Sequence, residues 1–112
     1  MNLKTSAGAL RHYVKLQHAT YVQDSSGATT ETWTDIANIW AQIKPLSGRQ
    51  MDIAKQAQSE VTHEIIVRYR ENVTPDKRIK YGSRIFYIES VMNIEERNNW
   101  LILRCKEYIA GR

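Results

Sequence analysis

Polar and apolar residues alternate along most of this chain, and that alternation constrains its fold more than any other feature. Residues 60–70 show it most clearly, because Val61, Ile65 and Val67 point to one face while Glu64 points to the other. A period of two residues is the mark of a β-strand with one buried face. The same period recurs at residues 10–17 (with a possible continuation to 22), 29–34, 39–44, 78–81, 84–92 and 100–107.

Turn-forming residues separate these strands at intervals of about ten residues. Clusters of Asp, Asn, Ser, Gly or Pro lie at residues 24–27, 72–76, 82–83 and 95–99. Gly82 can supply the positive φ that a short hairpin requires. The pattern predicts a mainly β fold of six or seven short antiparallel strands, in a small β-barrel or a sandwich.

One stretch departs from the β pattern. The strand that contains Trp40 stops at Pro45, which lacks a backbone donor. Ser47 followed by Gln50 then has the form of a capping box, so a helix is predicted over residues 47–58. Its less polar face is small, and it consists of Met51, Ile53, Ala54 and Ala57. Such a face buries little surface by itself, so the insertion at residues 44–60 is expected either to contact a neighbouring subunit or to move.

Length and composition restrict the class of protein. With 112 residues, 42% hydrophobic and 25% charged, the chain predicts one soluble domain at residues 9–108, with a loose N-terminal segment (residues 1–8) and a short tail (residues 109–112). It shows no apolar run of the roughly 20 residues that a membrane span needs, and no secretory signal. A cytoplasmic protein without a membrane partner is expected, and its size favours oligomerisation.

No residue pattern indicates an enzyme, a cofactor or a metal. Cys105 is the only cysteine, which excludes an internal disulfide and a multi-thiolate metal site within one chain. It lies in an apolar strand and is predicted to be a core residue. His12 and His63 lie on the apolar sides of strands without metal-ligand spacing, and are predicted to be structural. Glu95 and Glu96 are adjacent in a turn, so their side chains diverge and cannot form an acid/base pair.

Positive charge is concentrated in residues 68–84, whose net charge of +4 equals that of the whole chain. This segment could contact a nucleic-acid backbone, or it could be a solvated outer face with ion pairs. The second interpretation is favoured. Trp33, Trp40 and Trp100 could stack on bases, but they are more simply core or interface anchors. The basic residues are Arg68, Arg70, Lys77, Arg78, Lys80 and Arg84.

Several blocks, in this order and spacing, carry a resemblance to a known family. They are Trp33 with Asp35; Trp40-Ala41-x-Ile43-x-Pro45-Leu46-Ser47-Gly48-Arg49; Thr62-His63-x-Ile65-x-Val67-Arg68-Tyr69-Arg70; Val73-Thr74; Arg78-Ile79-x-Tyr81; Arg84-x-Phe86-x-Ile88; and Glu96 onward to Leu101-x-Leu103-x-Cys105. Together, over residues 10–107, the chain resembles the head-tail joining proteins of tailed bacteriophages, in their head-closure or stopper branch.

The resemblance implies a small β-barrel with a helix-bearing insertion, working as a non-enzymatic structural protein of the virion neck. Copies would form a ring below the portal and its adaptor protein, retain the packaged double-stranded DNA without reading its sequence, and dock a tail terminator or tail completion protein. The protein would be in the host cytoplasm during assembly. Residues 44–60 would be the moving or gating part, although Gln50 replaces an acid that is common there, which weakens a charge role at that position.

The residues expected to contact subunits or the channel are Lys44, Ser47, Arg49, Gln50, Met51, Lys55, Arg68, Arg70 and Lys80. The alternative function is a small barrel that binds single-stranded nucleic acid through the basic face of residues 68–84 and its aromatic side chains.

Overall fold

The computed structural model describes residues 7–108. Its elements are β1 (His12–Gln23), β2 (Thr29–Pro45), α1 (Gly48–Gln56), β3 (His63–Arg68), β4 (Lys77–Tyr81), β5 (Arg84–Asn93) and β6 (Trp100–Tyr108), with 3-10 turns at Ala7–Ala9 and Ile94–Glu96. The predicted loose N-terminal segment lies outside the described residues up to position 6, and so does the predicted tail at residues 109–112. No helix within residues 7–108 has the length and apolar character needed to cross a membrane.

The six strands close into an antiparallel barrel in the order β1-β2-β3-β6-β5-β4. Closure is made by β1 and β4, where Lys15 to His18 pair with Lys80 to Lys77. The mainly β fold with one helix is therefore confirmed. Gly82, at φ +60°, forms the tight β4–β5 turn that the sequence predicts.

The barrel interior is filled by alternate side chains from every strand, as the period of two predicts. Its fully buried members include Phe86, Leu16, Ile65, Ile79, Leu103, Val14, Val67 and Cys105. Burial raises the pKa of the Cys105 thiol to about 12, so it is protonated at neutral pH. The prediction of a core cysteine is confirmed.

Strand β2 is longer than the sequence pattern predicts. The alternation indicates two strands, at residues 29–34 and 39–44, whereas the structure has one strand of 17 residues. A β-bulge explains the difference: Leu16 lies opposite Ala37 but Gln17 lies opposite Asp35, so Ile36 has no cross-strand partner. The extra residue shifts the alternation by one position and makes a continuous strand look interrupted.

Beyond the barrel wall, β1 and β2 pair only with each other. Among the described residues, β1 meets β4 no farther than His18, and β2 meets β3 only from Ala41 onward. Residues 19–34, which we call the β1–β2 arm, therefore extend from the barrel as a two-stranded ribbon, and the molecule measures 53 × 31 × 26 Å. A two-stranded ribbon is marginally stable by itself in water, so this arm depends on contacts near its base.

None of the three tryptophans belongs to the barrel core, so the core role considered for them does not hold. Trp40 is 55% exposed, and Trp33 and Trp100 are half-buried on the outer surface. Trp40 and Trp100 lie next to Ala41 and Leu101, which take the inward positions of their strands. Trp33 lies where β2 has left the barrel. Their exposure places large aromatic surfaces where other molecules can reach them.

Candidate functional site

The helical insertion leaves and re-enters the barrel at adjacent points. Pro45 ends β2 opposite His63, the first residue of β3. The backbone N–H of Leu46 then donates to the carbonyl of Thr62 at 3.0 Å. This hydrogen bond and the buried Leu46 side chain fix the root of the insertion on the barrel, while the residues between remain outside it.

The predicted capping box is present at the start of α1. The Gln50 backbone N–H donates to Ser47 Oγ at 3.2 Å, and the Ser47 backbone N–H donates to Gln50 Oε1 at 3.0 Å. Two donors that the first turn leaves without helical partners are thus satisfied. Gln50 therefore caps the helix, a structural role that its uncharged amide fulfils.

Helix α1 lies loosely against the barrel. None of its residues is buried, and Ile53 is 57% exposed. Between α1 and the barrel lies a groove of about 100 Å³, lined in part by Ala54, Val61 and Arg104. The helix ends at Gln56, two residues before the predicted end. The prediction of a weakly apolar helix that its own chain does not bury agrees with this geometry.

The candidate contact residues of the insertion occupy its outside. Lys44, Arg49 and Lys55 are exposed. Lys44 pairs in register with Glu64, whose carboxylate lies 3.7 Å from Arg104. The half-buried Met51 lines a second shallow groove, of about 210 Å³, together with Lys55, Ser59, Glu60, Val61 and Thr62. The insertion thus presents positive charge to solvent around a partly apolar helix.

A second group of side chains, of which three are exposed and Trp100 is half-buried, crosses four strands on the outer wall of the barrel. We call Tyr13, Trp40, Arg68 and Trp100 the aromatic row. The rings of Tyr13 and Trp40, which are paired in register, have centroids 4.8 Å apart. The Arg68 guanidinium lies over its own register partner, the Trp100 ring, at 5.3 Å, within cation–π range.

The aromatic row borders a groove at the end of the barrel. This groove has a volume of about 190 Å³ and is lined by Ile39, Trp40, Arg68, Tyr69 and Arg70. Within the described part of the chain, neither arginine lies within 4 Å of a carboxylate. Aromatic residues and arginine are the types enriched at protein interfaces, so the groove has the composition of a contact surface.

The basic segment at residues 68–84 does not form one face. Arg68 ends β3 and Lys80 lies on β4, and these two strands are opposite each other in the closed strand order. The half-buried Lys80 pairs in register with Lys15, near Asp35. The predicted contact residues Arg68 and Arg70 therefore lie together, whereas Lys80 lies on the opposite wall.

Two other basic residues of the segment already form ion pairs with acidic side chains. Lys77 Nζ lies 3.0 Å from Asp76, and Arg84 Nε lies 2.8 Å from Glu107. The contact between Arg84 and Glu107 lowers the pKa of Glu107 and raises the pKa of Arg84. His63 is adjacent, and its pKa is lowered, chiefly by burial. This cluster stabilises the junction of β3, β5 and β6.

A polar network that the sequence pattern did not reveal supports the base of the β1–β2 arm. Arg78 Nε donates to Gln17 Oε1 at 2.7 Å, and Gln17 Nε2 donates to Asp35 Oδ1 at 2.7 Å. The Arg78 guanidinium also stacks 4.3 Å from the Trp33 ring, which approaches Tyr87 edge-on. The only sequence signal for it was a glutamine at the end of an alternating apolar run.

The surfaces described above are suited to binding. Within residues 7–108, no group of three His, Cys, Asp or Glu side chains is arranged to hold a metal ion. His63 Nδ1 lies 2.9 Å from the Thr62 hydroxyl, which agrees with a structural role, whereas His12 Nδ1 has no hydrogen-bond partner among the described residues.

Comparison with known proteins gives the chain its family. A search of curated proteins finds no match to it. Among solved structures, protein SF1141 from Shigella flexneri 2a is 25% identical, with a TM-score of 0.72 over 96% of this chain and 100% of that one. A chain of the native gene transfer agent virion has the same fold, at 22% identity and a TM-score of 0.59 over 90% of this chain and 97% of that one. The family model "Phage head completion protein" matches residues 5–108, so the chain belongs to the phage head completion protein family.

Proposed function

We propose that this protein forms a ring in the neck of a phage-type virion, where it closes the DNA-filled head below the portal and adaptor and provides the surface on which the tail docks. Membership of the head completion family over residues 5–108 is the observation that carries the proposal. It assigns the chain a structural role in the phage head. The ring and the tail contact are the finer steps that we infer.

Two exposed appendages on one closed barrel support a ring. The barrel buries its own core, whereas α1 has no buried residue and the β1–β2 arm has no neighbouring strand in the described residues. A chain with two different unpartnered surfaces favours heterologous contacts between copies, and such contacts close into rings when the rotation between copies permits.

The insertion at residues 44–60 is the part that we assign to the channel or to the neighbouring subunit. Lys44, Arg49 and Lys55 give it positive charge, and Ile53 gives it an exposed apolar side chain. Positive side chains attract the DNA backbone without reading sequence. Because α1 packs loosely on the barrel, a change of its position disrupts little of the core, as a gate requires.

The partners implied by this function are further copies of the chain, the portal or adaptor protein, a tail terminator or tail completion protein, and packaged double-stranded DNA. The protein would assemble in the host cytoplasm and remain in the virion neck. No cofactor, metal or membrane enters the proposal. Binding of single-stranded nucleic acid as the main function is not favoured, because the basic side chains of residues 68–84 lie on opposite walls of the barrel and do not form one binding face.

Reconstitution on heads tests the function. DNA-filled heads of the cognate phage, prepared without this protein but with portal and adaptor, are mixed with the purified chain and imaged by electron microscopy. A ring of new density at the distal face of the adaptor, retention of DNA and gain of tail attachment are expected. Heads that acquire no ring would contradict the proposal.

The role of the insertion is tested by Ile53→Glu, with Gln56→Glu as a matched control on the same exposed helix. Because both positions are exposed, each change should alter the free energy of unfolding by less than about 0.5 kcal/mol. Ile53→Glu is expected to prevent ring addition or DNA retention, whereas Gln56→Glu retains both. Equal behaviour of the two variants would remove the insertion from the function.

A further inference from the structure

The β1–β2 arm and the groove beside the aromatic row lie at opposite ends of the same pair of strands. Tyr21 is eight positions beyond Tyr13 along β1, a distance of about 26 Å at the rise of a β-strand. The arm is held at its base by the Arg78–Gln17–Asp35 network. It therefore points away from the groove of its own molecule and cannot fold back onto it.

One face of the arm is acidic and aromatic. Tyr21 lies in register with Glu31 and is 66% exposed. Trp33, two residues farther along the same face, donates from Nε1 to Glu31 Oε1 at 2.7 Å. A tyrosine, a carboxylate and a half-buried tryptophan thus form one continuous surface, with the Arg78 guanidinium over the tryptophan at its base.

The charge of the arm is opposite to that of the chain as a whole. The arm contains two acids, Asp24 and Glu31, and neither lysine nor arginine, although the net charge of the whole chain is +4. At the other end of these strands, the groove carries Arg68 and Arg70 beside Trp40. Complementary charges at the two ends favour head-to-tail association of identical molecules.

We infer that the Tyr21–Glu31 face of the arm of one copy binds the groove formed by Trp40, Arg68 and Arg70 on the next copy. The inference deepens the proposed ring, and rests on it, by naming the contact that joins neighbouring subunits. The contact is heterologous, because the two surfaces differ and lie on opposite ends of each molecule. Glu31 meets the two arginines, and Tyr21 packs against the Trp40 ring.

Charge reversal tests this contact. Glu31→Arg changes the arm, and the pair Arg68→Glu with Arg70→Glu changes the groove. Each variant is expected to lose ring addition to heads and to weaken self-association in concentrated solution, measured by sedimentation velocity, by roughly tenfold or more. The chain that carries all three changes restores opposite charges at every contact and should regain both. The wild-type contact should also weaken with added salt.

A control on the other face of the arm separates this contact from general effects of charge. Thr32→Arg adds positive charge on the opposite face of the arm, where no contact is proposed. It should assemble as the wild type does. Loss of assembly in this control equal to that of Glu31→Arg would overturn the assignment of the contact to the Tyr21–Glu31 face.

Mixing the arm variant with the groove variant gives a sharper result. In the mixture the intact arm of the groove variant meets the intact groove of the arm variant, and the reversed arm meets the reversed groove. Every contact between unlike molecules therefore joins opposite charges, so the mixture should form alternating assemblies that neither variant forms alone. A mixture that does not assemble, or a triple variant that stays monomeric, would overturn the inference. Rings on heads formed by the single variants would overturn it as well, while leaving the proposed function intact.

Failure of the two proposals is distinguishable. If the wild-type chain adds no ring to heads, the neck function fails, and sedimentation of the free chain and its charge variants still tests the contact. If the wild-type chain is monomeric in concentrated solution and also forms no ring on heads, both fail. Cross-linking of the arm in wild-type rings on heads identifies its neighbour. If the arm is linked only to the adaptor protein, the arm binds that protein and the proposed contact between copies is wrong.

Discussion

The barrel and its two appendages use apolar residues in opposite ways. In the barrel, Phe86, Ile65 and Leu103 are fully buried by their own chain. In the β1–β2 arm and in α1, Tyr21, Val22 and Ile53 are all more than half exposed. Most of their surface is left uncovered by the described part of the chain. This difference teaches that the chain separates the residues that fold it from the residues that it offers to partners.

The separation follows from the closure of the sheet. A closed barrel leaves no free edge where its strands all pair, so pairing with a strand of another molecule is possible only beyond the wall. The parts that extend beyond the wall are a ribbon whose strands outrun their neighbours, and an insertion between Pro45 and His63. The aromatic row adds a third surface on the wall itself.

The largest expected effect is on the barrel side of this comparison. Phe86→Ala removes the largest fully buried side chain and leaves a cavity, so the free energy of unfolding should fall by about 3–5 kcal/mol. Trp40→Ala, a comparably large change at an exposed position, should cost much less stability but reduce ring assembly. Denaturant unfolding of both variants, with ring addition scored on heads, measures the contrast. Equal losses of stability in the two variants would show that the outer wall contributes to folding as much as the core does.

An intermediate effect is expected where the two regions join. Arg78→Met removes the hydrogen bond to Gln17 and the stacking on Trp33, and should destabilise the arm by about 1–2 kcal/mol. Hydrogen exchange should become faster in the strands of the arm and stay slow in β3 and β6. An arm that exchanges as slowly as in the wild type would show that the network does not hold it.

The barrel itself was predictable because its signal is local. Alternation identifies the inward residues of β1, β3 and β6, and Pro45 with the Ser47–Gln50 pair identifies where a strand becomes a helix. Each of these features depends on residues a few positions apart, and the physical rule acts at that range. The resemblance to head-tail joining proteins then selected the barrel over the sandwich.

The contact surfaces were less predictable because they depend on strand order. Arg68 and Lys80 are close in sequence, but the closed order places them on opposite walls, whereas Tyr13 and Trp100 come from the two ends of the chain and share one row. The bulge at Ile36 broke the pattern of β2, and alternation cannot show that β1 and β2 outrun their neighbours. Tertiary pairing decides each of these features.

The smallest expected effect concerns the ionisable cluster at the barrel end. Burial holds the pKa of His63 below its usual 6.5, so the unfolded chain binds that proton more readily than the folded one. Stability is therefore full above pH 6.5 and falls as the pH drops from there to the folded-state pKa. The Arg84 contact, which lowers the pKa of Glu107 below 4.5, adds a further loss at lower pH.

Urea unfolding of the wild type and of His63→Gln between pH 8 and pH 5 measures the first of these losses. The variant should show a flatter dependence than the wild type over this window, because the group that titrates differently in the two states is gone. The aromatic row and the arm contain no part of this cluster. Over the same pH range, ring assembly by the folded protein should therefore depend less on pH than the free energy of unfolding does. An identical pH dependence in both proteins would show that His63 does not couple protonation to the folding of the barrel.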